Sequence, residues 1–198
     1  MTACTTRLRT CIPAFVFAIL AGCWPSTLSA NTDANVVKAA YLRNAFNQAY
    51  WPEAAFKGQN SPFLIGIAHK APEIEHSLNM AFGKLGYRIQ GRKVGIQVFK
   101  TPDDLAKTGR NPCHALFLPP AATAKSKDWT KAAEGKPILM ISDDPGFARK
   151  AGDISLVPNP DSPGRFIYHV NTKRLNAKGI RLNSGFLRLR TAVKDISR

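Results

Sequence analysis

The chain has 198 residues, 44% of them hydrophobic and 21% charged, with four cysteines and a formal net charge of +15. A domain of this length buries a hydrophobic core without staples, so neither a disulfide framework nor a multidomain organisation is required. The positive charge leaves nucleic acid, anionic lipid or an acidic partner as its counter-surface.

Residues 1–30 read as a secretory signal lying outside the fold. Arg7 and Arg9 give a basic start, Ile12 to Gly22 is apolar and uncharged, and Trp24-Pro25 leads to the small residues Ser29-Ala30. The apolar run is shorter than the ~20 residues that span a bilayer. It also lacks the polar face of a helix packed against a core. Two processing routes stay open. Cleavage after Ala30 releases a soluble protein. Alternatively, Leu20-Ala21-Gly22-Cys23 has the form of a lipobox, in which Cys23 is lipidated; bulky Trp24 directly after it tilts the reading towards release. Either route delivers the domain beyond the cytoplasm, which sets nucleic acid aside. Residues 31–198 then form one domain of charge +13, because the signal holds two basic residues and no acidic ones. Cys4, Cys11 and Cys23 fall in the signal, so the released form keeps Cys113 alone and has no internal disulfide. Cys113 introduces the apolar run Ala115–Leu118, which suits a buried, inert thiol.

The spacing from Asn35 to Tyr50 predicts a helix with a wide apolar surface, closed by Pro52. Phe63–Ala68 reads as a buried strand and Glu73–Leu85 as a helix ended by Gly86. Lys93–Phe99 alternates as a strand does. Thr101-Pro102-Asp103-Asp104 starts a short helix running to Lys107, Ala115–Leu118 is a strand, and Ala121–Ala133 is helical. Ile138–Ile141 is a strand and Phe147-Ala148 a helical turn. Ile154–Val157 and Phe166–Val170 form a hairpin about the Pro158–Gly164 turn, and Thr172–Ala177 and Ser184–Lys194 are helical. Alternating strands and helices predict an α/β fold: a three-layer sandwich with a mostly parallel, Rossmann-like sheet and an antiparallel edge hairpin.

Motifs for chemistry are few. The chain has no Gly-x-x-x-x-Gly-Lys, Gly-x-Gly-x-x-Gly or Gly-x-Ser-x-Gly segment. His69, His76, His114 and His169 are dispersed, without a His-x-x-x-His or Cys-x-x-Cys pair, so no metal or cofactor is expected. Cys113 and His114 adjoin on a strand and point to opposite faces, which argues against thiol catalysis. Asp143-Asp144 follows a strand at the end where open α/β sheets bind ligands, although Asp144 before Pro145 also fits a helix cap. Asp143, with Arg165 and His169, makes the candidate ligand set. The apolar residues of the first helix exceed one face, which makes Tyr41, Leu42, Phe46 and Trp51 the candidate partner- or dimer-binding surface.

Four stretches together resemble the YfiR-like periplasmic proteins. They are Val37-Lys38-Ala39-Ala40-Tyr41-Leu42-Arg43-Asn44 closing on Trp51-Pro52; Cys113 to Leu118; Ile138 to Asp143 with Pro145-Gly146-Phe147-Ala148 and Gly152; and Arg165 to Asn171 with Gly179-Ile180 and Ser184 to Leu189. The resemblance implies a non-enzymatic repressor. It would bind the periplasmic part of an inner-membrane diguanylate cyclase or related sensor kinase, lowering cyclic-di-GMP and biofilm. An OmpA-like outer-membrane lipoprotein would relieve it, and the repressor would be a homodimer. The sequence departs from the family at Arg43, where an aromatic is usual, at Ala151, where glycine is usual, and at Tyr168-His169, where Phe-Glu is commoner. Gly66 stands where studied members place the cysteine partner of the Cys113 equivalent, so redox control by that bridge is lost. The alternative is a binding protein for a small anionic solute, feeding a sensor or transporter.

Overall fold

The computed structural model describes residues 27–83, 86–109 and 111–197, and the expected signal with Cys23 lies outside them up to residue 26. The chain runs α1 (Thr27–Asn47), β1 (Ala49–Tyr50), a 3-10 turn (Glu53–Ala55), β2 (Phe63–Ala68), α2 (Pro72–Phe82), β3 (Arg88–Ile89), β4 (Arg92–Phe99) and α3 (Pro102–Lys107). It continues through β5 (Ala115–Leu118), α4 (Pro120–Thr123), α5 (Ser126–Ala132), β6 (Leu139–Ser142), α6 (Phe147–Lys150), β7 (Ile154–Pro158) and β8 (Phe166–Val170). Last come α7 (Thr172–Ala177), β9 (Arg181–Leu182), α8 (Ser184–Leu187) and β10 (Val193–Asp195). Among the described residues no helix is long and apolar enough to cross a membrane.

Eight strands form one sheet in the order β10-β8-β7-β6-β5-β2-β4-β3, and β1 pairs with β9 in a separate ribbon. Strands β4, β2, β5, β6 and β7 are parallel, an order that reverses direction at β2 and marks a doubly wound sheet. Every residue of β5 and β6 is buried, as it must be when helices cover both faces. One face carries α1, α2, α7 and α8 over Phe63, Ile65, Phe117, Ile141 and Tyr168. The other carries α3, α5 and α6 over Phe99, Leu116 and Met140. The expected three-layer α/β sandwich is therefore what forms.

The ends differ from expectation. β7 and β8 pair antiparallel, but the hairpin is not the edge, because β10 lies outside β8 and runs parallel to it. The helix expected over Ser184–Lys194 stops at Leu187, and Val193 is only 5% exposed beside Tyr168. An unpaired edge of β8 outcompetes helical spacing there. The expected Ala121–Ala133 helix breaks at Ala124–Lys125 into α4 and α5.

Two glycines are fixed by close approach. A Cβ on Gly152 would lie 1.8 Å from Phe147 Cε1, so the buried ring of α6 rests directly on the backbone entering β7. A Cβ on Gly66 would meet Leu116 and Phe99 at 2.8 Å and Cys113 Sγ at 3.0 Å. At the lower end of the sheet, Arg92 lies over Phe56 at 3.8 Å, Phe56 stacks on His114 at 4.6 Å, and His114 stacks on Phe63 at 5.0 Å. His114 Nδ1 accepts the Leu64 N–H, while Trp51 Nε1 donates to the His114 carbonyl at 2.9 Å. Burial, with a smaller push from the Arg92 charge, lowers the His114 pKa to about 4.

Gly152→Ala should cost about 1–3 kcal/mol in urea denaturation, because the Phe147 ring must move within a packed core. Gly58→Ala, with nothing within 4 Å of the new methyl, is the matched control and should be near neutral. His114 gives a second expectation. It is neutral in the folded state until about pH 4, while the unfolded imidazole takes a proton near its ordinary value of ~6.5. Its contribution to stability is thus complete above pH 6.5 and is lost as pH falls towards 4, by about 3 kcal/mol in total. Denaturation curves between pH 7 and pH 4.5 should show that loss, and it should flatten in His114→Gln, which keeps an acceptor near Leu64.

Candidate functional site

Helix α1 meets the C-terminal strands along a seam, and this is where most of the sequence candidates fall. Leu42, Ala45 and Phe46 are fully buried against the sheet, and Ala39 is 1% exposed. The opposite stripe of Val36, Ala40 and Asn44, spaced one turn apart, faces outward, with Val36 54% exposed. Tyr41 sits at the rim between the two. Its ring meets Phe166 edge-on at 5.3 Å and Tyr168 at 5.4 Å. Tyr168 Oη donates to the Tyr41 carbonyl at 2.9 Å and accepts from Asn44 Nδ2 at 3.4 Å. Burial pushes the Tyr168 phenol up from its ordinary range, so it stays a donor at every physiological pH. Phe186 of α8 closes the seam against Tyr168 at 5.1 Å.

The middle of α1 is held by charge. Lys38 Nζ lies 2.6 Å from Asp143 Oδ2, and both side chains are largely buried. The other carboxylate oxygen, Asp143 Oδ1, is buried without a hydrogen-bond partner. Asp144 is not the cap of α6: its Oδ1 accepts the Gly146 N–H at 2.8 Å and shapes the turn before that helix. The lower end of α1 is held by Trp51, whose indole is 5% exposed.

Two expectations change against this geometry. Leu42, Phe46 and Trp51 are interior, so they hold α1 in place and offer no open docking surface; of that set only Tyr41 reaches the rim. The set Asp143, Arg165 and His169 does not converge. Asp143 points to the α1 face, where Lys38 holds it. His169 alternates with Tyr168 along β8 and so points to the opposite face, where burial and then the charges of Lys194 and Arg149 lower its pKa. Arg165 is exposed at the start of β8. Two clefts of about 780 and 820 Å³ open elsewhere, and neither is lined by these three residues.

Cys113 and His114 lie on opposite faces, as strand alternation requires: the thiol packs with Leu116 and Phe99, the imidazole with Phe56 and Phe63. Burial drives the thiol up to about 12, which leaves it protonated and unreactive. Among the described residues no group of three or more His, Cys, Asp or Glu side chains is placed to hold a metal ion. Spacing gave no sign of Lys38 as the partner of Asp143, 105 residues away, or of Asp153, a fully buried carboxylate bound to Lys178.

No individual curated protein matches the chain. A family model described as YfiR/HmsC-like matches residues 35–190. That span takes in the seam from Lys38 on α1 to Phe186 on α8, the Gly152 approach beneath Phe147, and both faces of the sheet. Proteins of this kind are regulators of diguanylate cyclase that act in the periplasm. With the match covering most of its length and all of the folded core but Val193, the chain belongs to the YfiR/HmsC-like family.

Proposed function

We propose that this protein is a periplasmic, non-enzymatic regulator that binds the periplasmic domain of an inner-membrane diguanylate cyclase or related membrane sensor. By holding that partner inactive it lowers cyclic-di-GMP and biofilm formation. The family match over residues 35–190 carries the reading. The mechanism is a population shift: contact energy favours the inactive partner, and removal of the regulator returns the equilibrium.

The seam supports a particular contact. The outer stripe of α1, Val36, Ala40 and Asn44 with Tyr41 at its rim, is an accessible part of the helix. It is small and apolar enough to pack against another helix, whether of the partner or of a second copy. The helix beneath it is tied to the body at Lys38 and, beyond its C-terminal end, through Trp51, which limits the ordering cost of binding. The solute-binding alternative loses the site built on Asp143 and His169, since their side chains point to opposite faces.

Val36→Asp with Ala40→Asp should weaken capture of the cyclase's periplasmic domain at least tenfold while leaving thermal denaturation unchanged. Leu42→Asp should instead unfold the protein. Deleting the gene should raise cyclic-di-GMP and biofilm, and restoring the wild type but not the doubly substituted protein should reverse this. Unchanged cyclic-di-GMP on deletion, with no cyclase copurifying, would refute the proposal.

A further inference from the structure

A cleft of about 780 Å³ opens at the opposite end of the molecule from the Lys38–Asp143 pair, against the N-terminal ends of β5, β6 and β7. Six basic residues line it, Lys127, Lys131, Lys136, Lys150, Arg174 and Lys178, against a single carboxylate, Glu134. Its apolar lining is mainly small, with Ala54, Ala133, Ala151 and Ala177 leaving depth between the cations. A volume of this order suits a small-molecule ligand.

Part of this charge has a structural use. Arg174 donates to the carbonyls of Ala151 and Lys150, and Lys178 is bound to the Ile138 carbonyl and to Asp153. Lys150 turns its ammonium back over Gly146. Arg174 thus satisfies carbonyls at the end of α6, and Lys178 a carbonyl just before β6. Lys136 is held by one carbonyl, Leu105, and keeps two donors spare. Lys127 and Lys131 remain. Both line the cleft, one turn apart on α5, and neither forms an ion pair among the described residues. Like charges at that spacing repel and weaken a helix unless an anion lies between them.

We propose that this cleft binds a phosphoryl anion, held by Lys127 and Lys131 on one side and Lys136 on the other. The cations free to reach a ligand are ammonium groups, point charges without a planar fork. They suit a multiply charged tetrahedral oxyanion better than a planar carboxylate, which Arg binds in bidentate fashion. The committed guanidinium of Arg174, bound only to carbonyls, adds a fixed positive field at no further ordering cost, whereas Lys178 is neutralised by Asp153. The proposal is independent of cyclase binding, because the cleft and the outer stripe of α1 share no residue.

Calorimetric titration of the purified protein at low salt with sodium pyrophosphate and with glycerol 3-phosphate tests a free ligand. Flotation with vesicles containing phosphatidic acid, a phosphomonoester able to carry two charges, against phosphatidylcholine vesicles, tests a lipid headgroup. We expect saturable binding in at least one arm, and that arm names the source. Lys127→Ala with Lys131→Ala should weaken it at least tenfold, Glu134→Gln should tighten it, and Lys70→Ala with Lys93→Ala, which removes the same charge elsewhere, should leave it unchanged. Absence of saturable binding in both arms, or equal weakening by both lysine pairs, would overturn the proposal. Capture of the cyclase domain is read separately, so failure of one does not imply failure of the other.

Discussion

The arrangement depends on one buried carboxylate. Asp153 is fully inaccessible, and its Oδ2 accepts the Met140 N–H at 2.8 Å and the Lys178 ammonium at 2.6 Å. Its own N–H bonds to the Met140 carbonyl, and its carbonyl accepts from Asn171. A single residue thereby joins the start of β6, the start of β7, the end of β8 and the segment after α7. Removing one member of such a buried pair typically costs about 3–5 kcal/mol, because the other is left charged and without water. The pair also places Lys178 at the wall of the basic cleft. The interaction that closes the lower end of the sheet therefore fixes part of the cleft wall while leaving its charge to the other cations.

The charge distribution divides the molecule into two ends with different chemistry. Above, Lys38 and Asp143 neutralise each other beneath α1, and the exposed stripe beside them carries no charge. Below, cations gather around helix ends whose last carbonyls attract them. A regulator with an uncharged contact surface at one end and a cationic cleft at the other can answer two unlike partners without their competing for the same residues.

Much of the architecture was legible in the sequence. Uninterrupted apolar runs such as Ala115–Leu118 and Ile138–Ile141 announce strands covered on both faces, and Thr101-Pro102-Asp103-Asp104 announces the capped start of α3, where Thr101 and Asp104 form a reciprocal capping box. What failed was tertiary. Val193 has helical neighbours but is drawn to the open edge of β8. Leu42 and Phe46 look like surplus apolar surface in the sequence because the depth of the groove that receives them depends on Phe63, Phe82 and Tyr168, far along the chain. Strand alternation separated Cys113 from His114 correctly. The same rule did not separate Asp143 from His169, because the register between β6 and β8 passes through β7 and is not written in either segment. The stack of Arg92, Phe56, His114 and Phe63 and the Asp153–Lys178 pair leave no local signal at all.

The two edges of the sheet carry a consequence for association. One edge is β10, three residues long with Lys194 and Asp195 exposed; the other is β3, two residues long with Arg88 exposed. Short, charged borders are poor templates for strand addition. Among the described residues, both borders therefore disfavour extension of this sheet by a second molecule. Pairing of two copies through their helical layers, side chain against side chain, is the contact that these borders leave open.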